Sequence, residues 1–230
     1  MRVFVLAGGL GTRLAPRLGD LPKPLAPLAG RPFLERQLEW LSSHGLSDVV
    51  LCVGHGADQV ESALGDGALL GVRLRYSRET SPLGTGGALA LAAPFVEGST
   101  LVLNGDTLLD LDPWALERTR WERGSVGAVA LFRSDDAAAG GRVECDAQGS
   151  VTGFVEKDAS HRGAAWVNGG CYAFAPRLWE WLPPGPSSLE RDVLPRLAAV
   201  GELRGHHAEG AFWDIGTPQG LARAERRFTG

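Results

Sequence analysis

The first half of the chain alternates short apolar runs with helical patterns, and this alternation restricts the fold more than any other feature. The run Val3-Phe4-Val5-Leu6-Ala7 is typical of a buried strand, and strand patterns return at 48–53, 72–76 and from 101. Helical patterns separate them at 32–45, 57–64 and 83–93. Strands that alternate with helices build a mostly parallel sheet covered on both faces. We therefore predict a three-layer α/β/α fold.

The second half of the chain is richer in strands. Strand-like runs occur at 126–132, 141–145, 151–156 and 167–174, and helical patterns follow at 187–199 and 217–228. Ser187 and Glu190 have capping-box spacing, and Thr217 is placed as an N-cap. We expect a small added β-rich region in the same domain. In open α/β sheets, ligands bind beyond the carboxyl ends of the strands, which is where the motifs below lie.

Composition narrows the class of partner. The chain has 230 residues and a net charge of −4, so it suits one large α/β domain and offers no broad basic field for nucleic acid. Its three cysteines have no CxxC spacing, which argues against a disulfide framework or a zinc site. The apolar runs are too short for a membrane span or a signal peptide. We expect no membrane contact and a cytoplasmic location.

A glycine-rich segment follows the first strand directly. Gly8-Gly9-Leu10-Gly11-Thr12-Arg13 lets backbone N–H groups approach phosphates without obstruction by Cβ atoms, and Arg13 adds a permanent charge. The segment lacks the Gly-Lys-Ser/Thr ending of a Walker A loop. Leu14 stands where a dinucleotide-binding fingerprint needs a third glycine. The segment is therefore either a phosphate-binding loop of another kind or a plain tight turn.

Two further segments offer contacts to a nucleotide. Lys23 stands between Pro22 and Pro24, which restrict the backbone on both sides, so it is either a positioned phosphate-binding cation or an exposed loop lysine. Gly84 and Thr85 lie in the glycine-rich first turn of a predicted helix, whose free N–H groups and flat backbone suit a base or ribose. Packing alone also accounts for such a start.

Acidic residues end two of the predicted elements. Asp106 follows a buried strand in the run Asn104-Gly105-Asp106, and Asp214 lies between apolar neighbours just before a capped helix. Mg²⁺ takes one or two carboxylates together with phosphate oxygens and water, so both are candidate ligands. Structural turn residues are the alternative for each.

The strands of the second half carry polar residues of a different kind. Glu156 and Lys157 end a strand, where a bend would let both reach a ligand, although an exposed ion pair fits the pattern as well. Asn168 and Gly169 interrupt an apolar strand, and glycine there often marks a bulge. Asn168 is placed to contact sugar hydroxyls.

Taken together, the segments resemble the sugar-1-phosphate nucleotidyltransferase family, whose motifs they match in order as LAGGLGTRL, LPKPL, PLGTGGA, LNGD, FVEK, NGG and WDIGTP. They cover positions 6 to about 218. Within the family the chain looks most like the D-glycero-D-manno-heptose 1-phosphate guanylyltransferases, followed by the mannose-1-phosphate guanylyltransferases. The resemblance implies a Rossmann-like fold and one nucleotidyltransferase domain over 1–230. Its nucleotide-binding half would be about 1–112 and its sugar-phosphate half about 113–230.

The resemblance also implies residue roles. Arg13 would bind the departing pyrophosphate and Lys23 the reacting phosphates, while Asp106 and Asp214 would hold Mg²⁺. The nucleotide would be bound by Leu6, Ala7, Gly8, Gly9, Gly11, Thr12, Gly84, Thr85 and Gly105. The sugar phosphate would be bound by Glu156, Lys157, Asn168 and Gly169.

The base-binding segment distinguishes this chain from some relatives. Thymidylyl- and uridylyltransferases of the family often have a glutamine before the glycine turn, whereas this chain has Glu79-Thr80-Ser81-Pro82 and no glutamine. This fits guanine at least as well as thymine or uracil. We expect GTP, or another nucleoside triphosphate, and a sugar 1-phosphate as partners and Mg²⁺ as cofactor. Self-association into a homo-oligomer is left open.

The expected reaction is in-line attack of the sugar-phosphate oxygen on the α-phosphorus, with loss of pyrophosphate. Such chemistry depends mainly on positioning and charge stabilisation. Another hexose 1-phosphate is the alternative substrate. A nucleotide-sugar-dependent glycosyltransferase is an alternative of a different class, but such a donor site has less need of the cations Arg13 and Lys23. A non-catalytic binding subunit is the third hypothesis.

Overall fold

The computed structural model describes residues 1–134, 142–155 and 163–229. The strands in these ranges are β1 (Arg2–Leu6), β2 (Pro27–Leu28), β3 (Arg31–Pro32), β4 (Asp48–Val53), β5 (Arg73–Arg78), β6 (Thr100–Asn104), β7 (Thr107–Leu109), β8 (Gly127–Ser134), β9 (Arg142–Cys145), β10 (Val151–Val155), β11 (Ala165–Phe174), β12 (Leu203–His207) and β13 (Phe212–Asp214). The α-helices are α1 (Ala15–Leu18), α2 (Phe33–Ser43), α3 (Ala57–Leu64), α4 (Gly84–Leu91), α5 (Pro113–Glu122), α6 (Leu194–Ala199) and α7 (Pro218–Thr229).

The parallel half of the main sheet has the order β5-β4-β1-β6. Val3 and Val5 of β1 pack into the core on one face, and Phe4 packs into the core on the other. Side chains of a strand alternate between faces, so a continuous apolar run is what a sheet covered on both sides requires. The predicted three-layer α/β/α fold is confirmed.

The second half extends this sheet with strands of mixed direction. β11 pairs antiparallel with β6 and with β8, and β12 pairs parallel with β8. β9 pairs antiparallel with β11 and with β10. The strand-rich continuation of the sheet is therefore confirmed.

Several element boundaries differ from the sequence prediction. The helix expected at 187–199 is a π-helical turn, Leu189–Val193, followed by α6. Ser188, and not Ser187, accepts the capping hydrogen bond, which comes from the backbone N–H of Arg191. Thr217 does cap α7 as predicted, because its hydroxyl accepts the N–H of Gly220 at 3.0 Å.

Helix α5 was not predicted, because its sequence PWALERTRWE is mostly polar and has no clear apolar stripe. Its buried Arg120 is neutralised within the helix, where Nε donates to Oε2 of Glu117 at 2.8 Å. Asp112 caps the start of the helix, because its Oδ1 accepts the N–H of Trp114 at 2.9 Å. None of the helices in the described ranges combines the length and apolar character that a bilayer crossing requires.

A small separate sheet joins the two halves of the chain. β13 pairs antiparallel with β7, and the register places Asp214 opposite Thr107. A third hydrophobic core lies beside this sheet, apart from those on the two faces of the main sheet. We call it the α7 core, and its buried members are Leu14, Ala26, Leu28, Phe33, Leu108, Ile215, Leu221 and Ala224.

Candidate active site

A pocket opens at the carboxyl ends of β1, β4 and β6, and its cavity volume is about 290 Å³. This is the edge of the sheet where ligands of open α/β folds bind. Of the residues predicted for the site, the pocket is lined by Leu6, Ala7, Gly8, Gly9, Lys23, Gly84, Thr85, Gly105 and Asp106. The structure therefore brings together four segments that are separate in the sequence.

The glycine-rich loop presents its backbone to this pocket. Within the described part of the chain, no acceptor receives the N–H groups from Gly8 to Arg13. Thr12 and Arg13 are exposed to solvent. Gly11 has φ +62°, a left-handed conformation that glycine adopts without strain. A run of successive free N–H groups provides donors for a bound polyanion.

The turn after β6 packs directly on the end of β1. The N–H of Gly105 donates to the carbonyl of Leu6 at 2.9 Å, and a Cβ atom at Gly105 would lie 2.7 Å from the same oxygen. Only glycine allows this approach without a shift of the backbone. Asp106 follows immediately, so its carboxylate is held next to the glycine-rich loop.

Asp106 and Asp214 come together because β7 and β13 pair. The N–H of Ile215 donates to the carbonyl of Asp106 at 2.9 Å, and the N–H of Gly216 donates to Oδ1 of Asp214 at 2.5 Å. A Cβ atom at Gly216 would lie 2.8 Å from Oδ1 of Asp214, 3.2 Å from Oδ2 of Asp106 and 3.4 Å from Nη2 of Arg13. The two acids and the arginine therefore surround one point.

The charges at this point balance one another. Burial raises the pKa of Asp214, and the charge of Asp106 raises this pKa further, whereas Lys23 and Arg13 oppose the increase. The ammonium group of Lys23 donates a hydrogen bond to Oδ2 of Asp106. Arg13 forms no hydrogen bond or ion pair with the described residues, so its guanidinium group is available to an anion.

The acid pair fits a magnesium ion. Both residues supply carboxylate oxygens, the hard ligands that Mg²⁺ prefers. Nowhere in the described ranges do three or more His, Cys, Asp or Glu side chains cluster so that protein groups alone could hold a metal ion. An ion held by Asp106 and Asp214 would thus take its remaining ligands from substrate phosphates and water, as Mg²⁺ commonly does.

Glu79 also lines the pocket, beside Gly8 and Gly54, and its role was not assigned from the sequence. Its Oε2 accepts the N–H of Leu83 at 3.2 Å, and its Oε1 lies so close to Gly54 that a Cβ atom there would approach to 2.5 Å. Burial raises the pKa of Glu79, and the N–H of Leu83 partly offsets this change. The position of Glu79 before the glycine turn was the available sequence signal.

Thr85 connects the pocket to the second half of the chain. Its hydroxyl donates to Oε2 of Glu190 at 2.7 Å and accepts the N–H of Leu189 at 2.7 Å. Gly84 has φ +72°, and a Cβ atom on it would lie 2.5 Å from the carbonyl oxygen of Ser187. The glycines of this segment therefore serve close packing, while Gly84 and Thr85 still line the pocket.

The predicted sugar-binding residues divide into two groups. Asn168 is held by two hydrogen bonds, since Nδ2 donates to Oη of Tyr172 at 2.8 Å and Oδ1 accepts the N–H of Gly170 at 2.9 Å. Gly169 packs on Phe132, where a Cβ atom would lie 2.4 Å from a ring carbon. The pairing of β11 with β8 shifts register here, as the glycines predict. Glu156 and Lys157 lie outside the described residues.

Asn104 is a further candidate that was not singled out for a role. It lines the pocket next to Gly105, and its buried Oδ1 has no hydrogen-bond partner among the described residues. Buried polar atoms are normally paired, so the unpaired oxygen of a residue that lines the pocket marks Asn104 as a candidate contact to a ligand with a hydroxyl or N–H donor.

Comparisons with known proteins agree with this geometry. A family model described as nucleotidyl transferase matches residues 2–229. A D-glycero-alpha-D-manno-heptose 1-phosphate guanylyltransferase from Campylobacter jejuni is 38% identical over 172 residues, which cover 75% of this chain and 75% of that protein. A mannose-1-phosphate guanylyltransferase catalytic subunit beta from Drosophila pseudoobscura is 36% identical over 222 residues, which cover 95% of this chain and 60% of that protein.

The chain thus spans about three fifths of the length of the mannose-1-phosphate relatives, 60% in two Drosophila proteins. Among solved structures, HddC from Yersinia pseudotuberculosis complexed with GMP-PN has a TM-score of 0.88 at 31% identity, and the match covers 99% of both chains. Since the family model extends over almost every residue and the fold matches over its whole length, this chain belongs to the nucleotidyl transferase family.

Proposed function

We propose that the chain transfers a nucleotidyl group from GTP to a sugar 1-phosphate and releases pyrophosphate. One observation carries the proposal: Arg13, Asp106 and Asp214 surround a single point beside a loop of free N–H groups. The N–H groups and the arginine would bind a triphosphate, and the two acids would hold a metal ion that supplies positive charge to it. The guanylyltransferase activities for which the relatives from Campylobacter jejuni and Drosophila are named support the same reaction.

In this mechanism the main contribution of the chain is to hold charged and polar groups around the reacting phosphates. The N–H groups from Gly8 to Arg13 bind the triphosphate, and the Arg13 guanidinium stabilises the charge that develops on the departing pyrophosphate. Mg²⁺, when bound by Asp106 and Asp214, supplies positive charge to phosphate oxygens. Lys23 can turn from Asp106 to a phosphate oxygen, because its flexible stem carries three donors. No covalent enzyme intermediate is required.

Glu79 supports guanine as the base. A carboxylate accepts hydrogen bonds and donates none when ionised. The Watson–Crick edge of guanine offers two adjacent donors, N1–H and the N2 amino group, which a carboxylate can accept together. Uracil and thymine offer one donor between two carbonyl oxygens, and those oxygens would be repelled by Glu79. The structure of HddC complexed with GMP-PN, a guanine nucleotide, supports this assignment.

For the sugar, we propose D-glycero-D-manno-heptose 1-phosphate, with mannose 1-phosphate as the alternative. Asn104 and Asn168 are the described polar residues assigned to its hydroxyls. Glu156 and Lys157 remain proposed contacts to a hydroxyl and to the phosphate. The division into a nucleotide half of about 1–112 and a sugar-phosphate half of about 113–230 follows the same assignment.

We also propose a cytoplasmic location. Cys52, Cys145 and Cys171 are all free, and two of them are buried. Free cysteines are usual where the compartment keeps thiols reduced.

The deciding experiment measures pyrophosphate release with Mg²⁺ across four nucleoside triphosphates and a panel of sugar 1-phosphates. We expect activity with GTP and the heptose phosphate, and loss of about 10²–10³ in rate for Arg13→Ala. Arg73→Ala is the matched control, since Arg73 is also exposed but pairs with Asp48 at the start of β4, away from the pocket. Turnover that releases a nucleoside diphosphate would indicate a glycosyltransferase, and no turnover with any pair would favour a binding subunit.

A further inference from the structure

The charged residues of the site share a support that touches no substrate. Arg13 precedes Leu14 and Asp214 precedes Ile215, and both neighbours are fully buried members of the α7 core. Asp106 stands two residues before Leu108, and Lys23 stands three residues before Ala26. The four charges therefore project from backbone that is anchored in one small core.

Helix α7 closes this core from one side. Leu221 is 1% exposed and Ala224 is fully buried, so the apolar face of the helix lies against the segments that carry the charges. The remaining buried members of the core come from the residue before α1, from β2 and the residue before it, from the first residue of α2, from β7 and from the residue after β13. Leu221 and Ala224 are thus its only buried members from α7 among the described residues.

Polar and aromatic contacts attach α7 to the same segments. Glu225 forms an ion pair with Arg17 of α1 at 3.0 Å. The ring of Phe228 lies 6.3 Å from the ring of Trp213, the residue before Asp214. The guanidinium carbon of Arg36 lies 4.8 Å from the centre of the same Phe228 ring. These contacts connect the helix to the loop carrying Arg13 and to the strand carrying Asp214.

The site needs such a support because ion pairing fixes only part of it: Lys23 pairs with Asp106, but no such contact joins Asp106 to Asp214 in the described chain. Asp106 and Asp214 repel each other when both are ionised, and the only short polar contact across the pair in the described chain is from the backbone, Ile215 N–H to the Asp106 carbonyl. Arg13 has no side-chain partner there either. Packed side chains that flank the charges must therefore fix their separation.

We propose that α7 is a positioning element for the catalytic charges and that Leu221 is its central positioning residue. The helix holds the Arg13 loop against the acid pair, so that metal and triphosphate meet prepositioned ligands. The expected effect of α7 on turnover rests on the proposed function. The expected effect of α7 on metal binding does not.

The test compares Leu221→Ala with Leu197→Ala. Leu197 is also fully buried, but it lies in α6 and belongs to the core that contains Phe4 on one face of the main sheet, not to the α7 core. Mn²⁺ affinity is measured without nucleotide by electron paramagnetic resonance. Turnover is measured at a temperature well below the thermal unfolding midpoint of either variant. We expect Leu221→Ala to lose about 10²-fold in kcat, as for a small misplacement of reacting groups, and to bind Mn²⁺ at least tenfold more weakly. Leu197→Ala should lose thermal stability alone.

Leu221→Val, which removes one carbon, provides a milder variant if Leu221→Ala does not fold, and Leu221→Met should restore most of the metal affinity. Equal Mn²⁺ affinities in Leu221→Val, Leu197→Ala and the unmodified chain would overturn the proposal. The outcome is separate from that of the proposed function: absence of turnover in the unmodified chain would reject the function, while the Mn²⁺ comparison would still decide the role of α7.

Discussion

Lys23 and Asp106 form an ion pair in which only 17% and 20% of the two side chains are exposed. The carboxylate assigned to the metal is thus already neutralised by a cation of the protein. We expect a metal ion and Lys23 to compete for the carboxylate of Asp106, whose Oδ2 accepts the Lys23 hydrogen bond. This competition gives Lys23 opposite effects on metal binding and on catalysis.

Lys23→Gln is therefore expected to bind Mn²⁺ more tightly than the unmodified chain in the absence of nucleotide, because Asp106 loses its competitor. Its kcat should fall by about 10²–10³, since a cation that stabilises the transition state is gone. Metal titration and steady-state kinetics measure the two effects. Arg31→Gln, which removes an exposed cation paired with Glu35 and Glu39, should change neither. Weaker metal binding by Lys23→Gln would contradict the competition.

Glu79→Gln should weaken the preference for GTP. The amide offers one acceptor oxygen in place of two and carries no charge, and hydrogen bonds to charged groups contribute roughly 1.5–3 kcal/mol. We expect kcat/KM for GTP to fall by roughly 10–100-fold, with a smaller change for UTP. Competition assays with the two nucleotides measure the ratio. Glu209→Gln, at an exposed position, is the control. An unchanged ratio would remove Glu79 from base recognition.

Asp214→Asn should make the metal-free protein more stable while abolishing turnover. The pKa of Asp214 is raised in the folded protein, so the ionised carboxylate destabilises the fold. This destabilisation is present at pH values above the folded-state pKa and disappears below the unfolded-state pKa. The gain in Tm should therefore be seen at pH 7.5 with a chelator and vanish in acid, below the ordinary range for aspartate. Asparagine keeps the oxygen that accepts the Gly216 N–H. An equal gain at both pH values would exclude ionisation as the cause.

Gly105→Ala should lower activity through the backbone. Its Cβ atom would approach the Leu6 carbonyl to 2.7 Å, so either β1 or the Asp106 turn must move. We expect a loss of at least tenfold in kcat and a lower Tm. Gly153→Ala is the matched control, because a Cβ atom there meets no atom within 4 Å. Kinetics and thermal unfolding of both variants test the expectation, and normal kcat in Gly105→Ala would show that the turn tolerates the shift.

The local part of the site could be predicted from the sequence, because each motif directly follows its own strand. The loop from Gly8 to Arg13 and the turn at Asp106 are of this kind. Asp214 was proposed as a ligand from its position before a capped helix and from family resemblance, but its meeting with Asp106 depends on pairing between β7 and β13. Each of those strands has three residues. Runs so short carry no periodic signal, so their pairing is a tertiary event that sequence patterns do not encode.

Other features depended on tertiary structure in the same way. Helix α5 has no apolar stripe, and its buried Arg120 is neutralised by neighbours that a sequence pattern does not identify. The acceptor of Asn104 was not recognised because its lack of a partner becomes visible only when the pocket is formed. From the sequence, the segment that contains Glu79 was noted only for having no glutamine. The proposed role of Glu79 in base recognition came from its place in the lining of the pocket.

The free N–H groups from Gly8 to Arg13 have a consequence for how occupancy can be observed. Amide protons without acceptors exchange rapidly with solvent, whereas those held by a ligand exchange slowly. The loop therefore reports on its own ligand: its amides should become protected when a polyphosphate binds, while the paired amides of β1 are protected throughout. Hydrogen exchange at this one segment would follow substrate entry and pyrophosphate departure without any label attached to the protein.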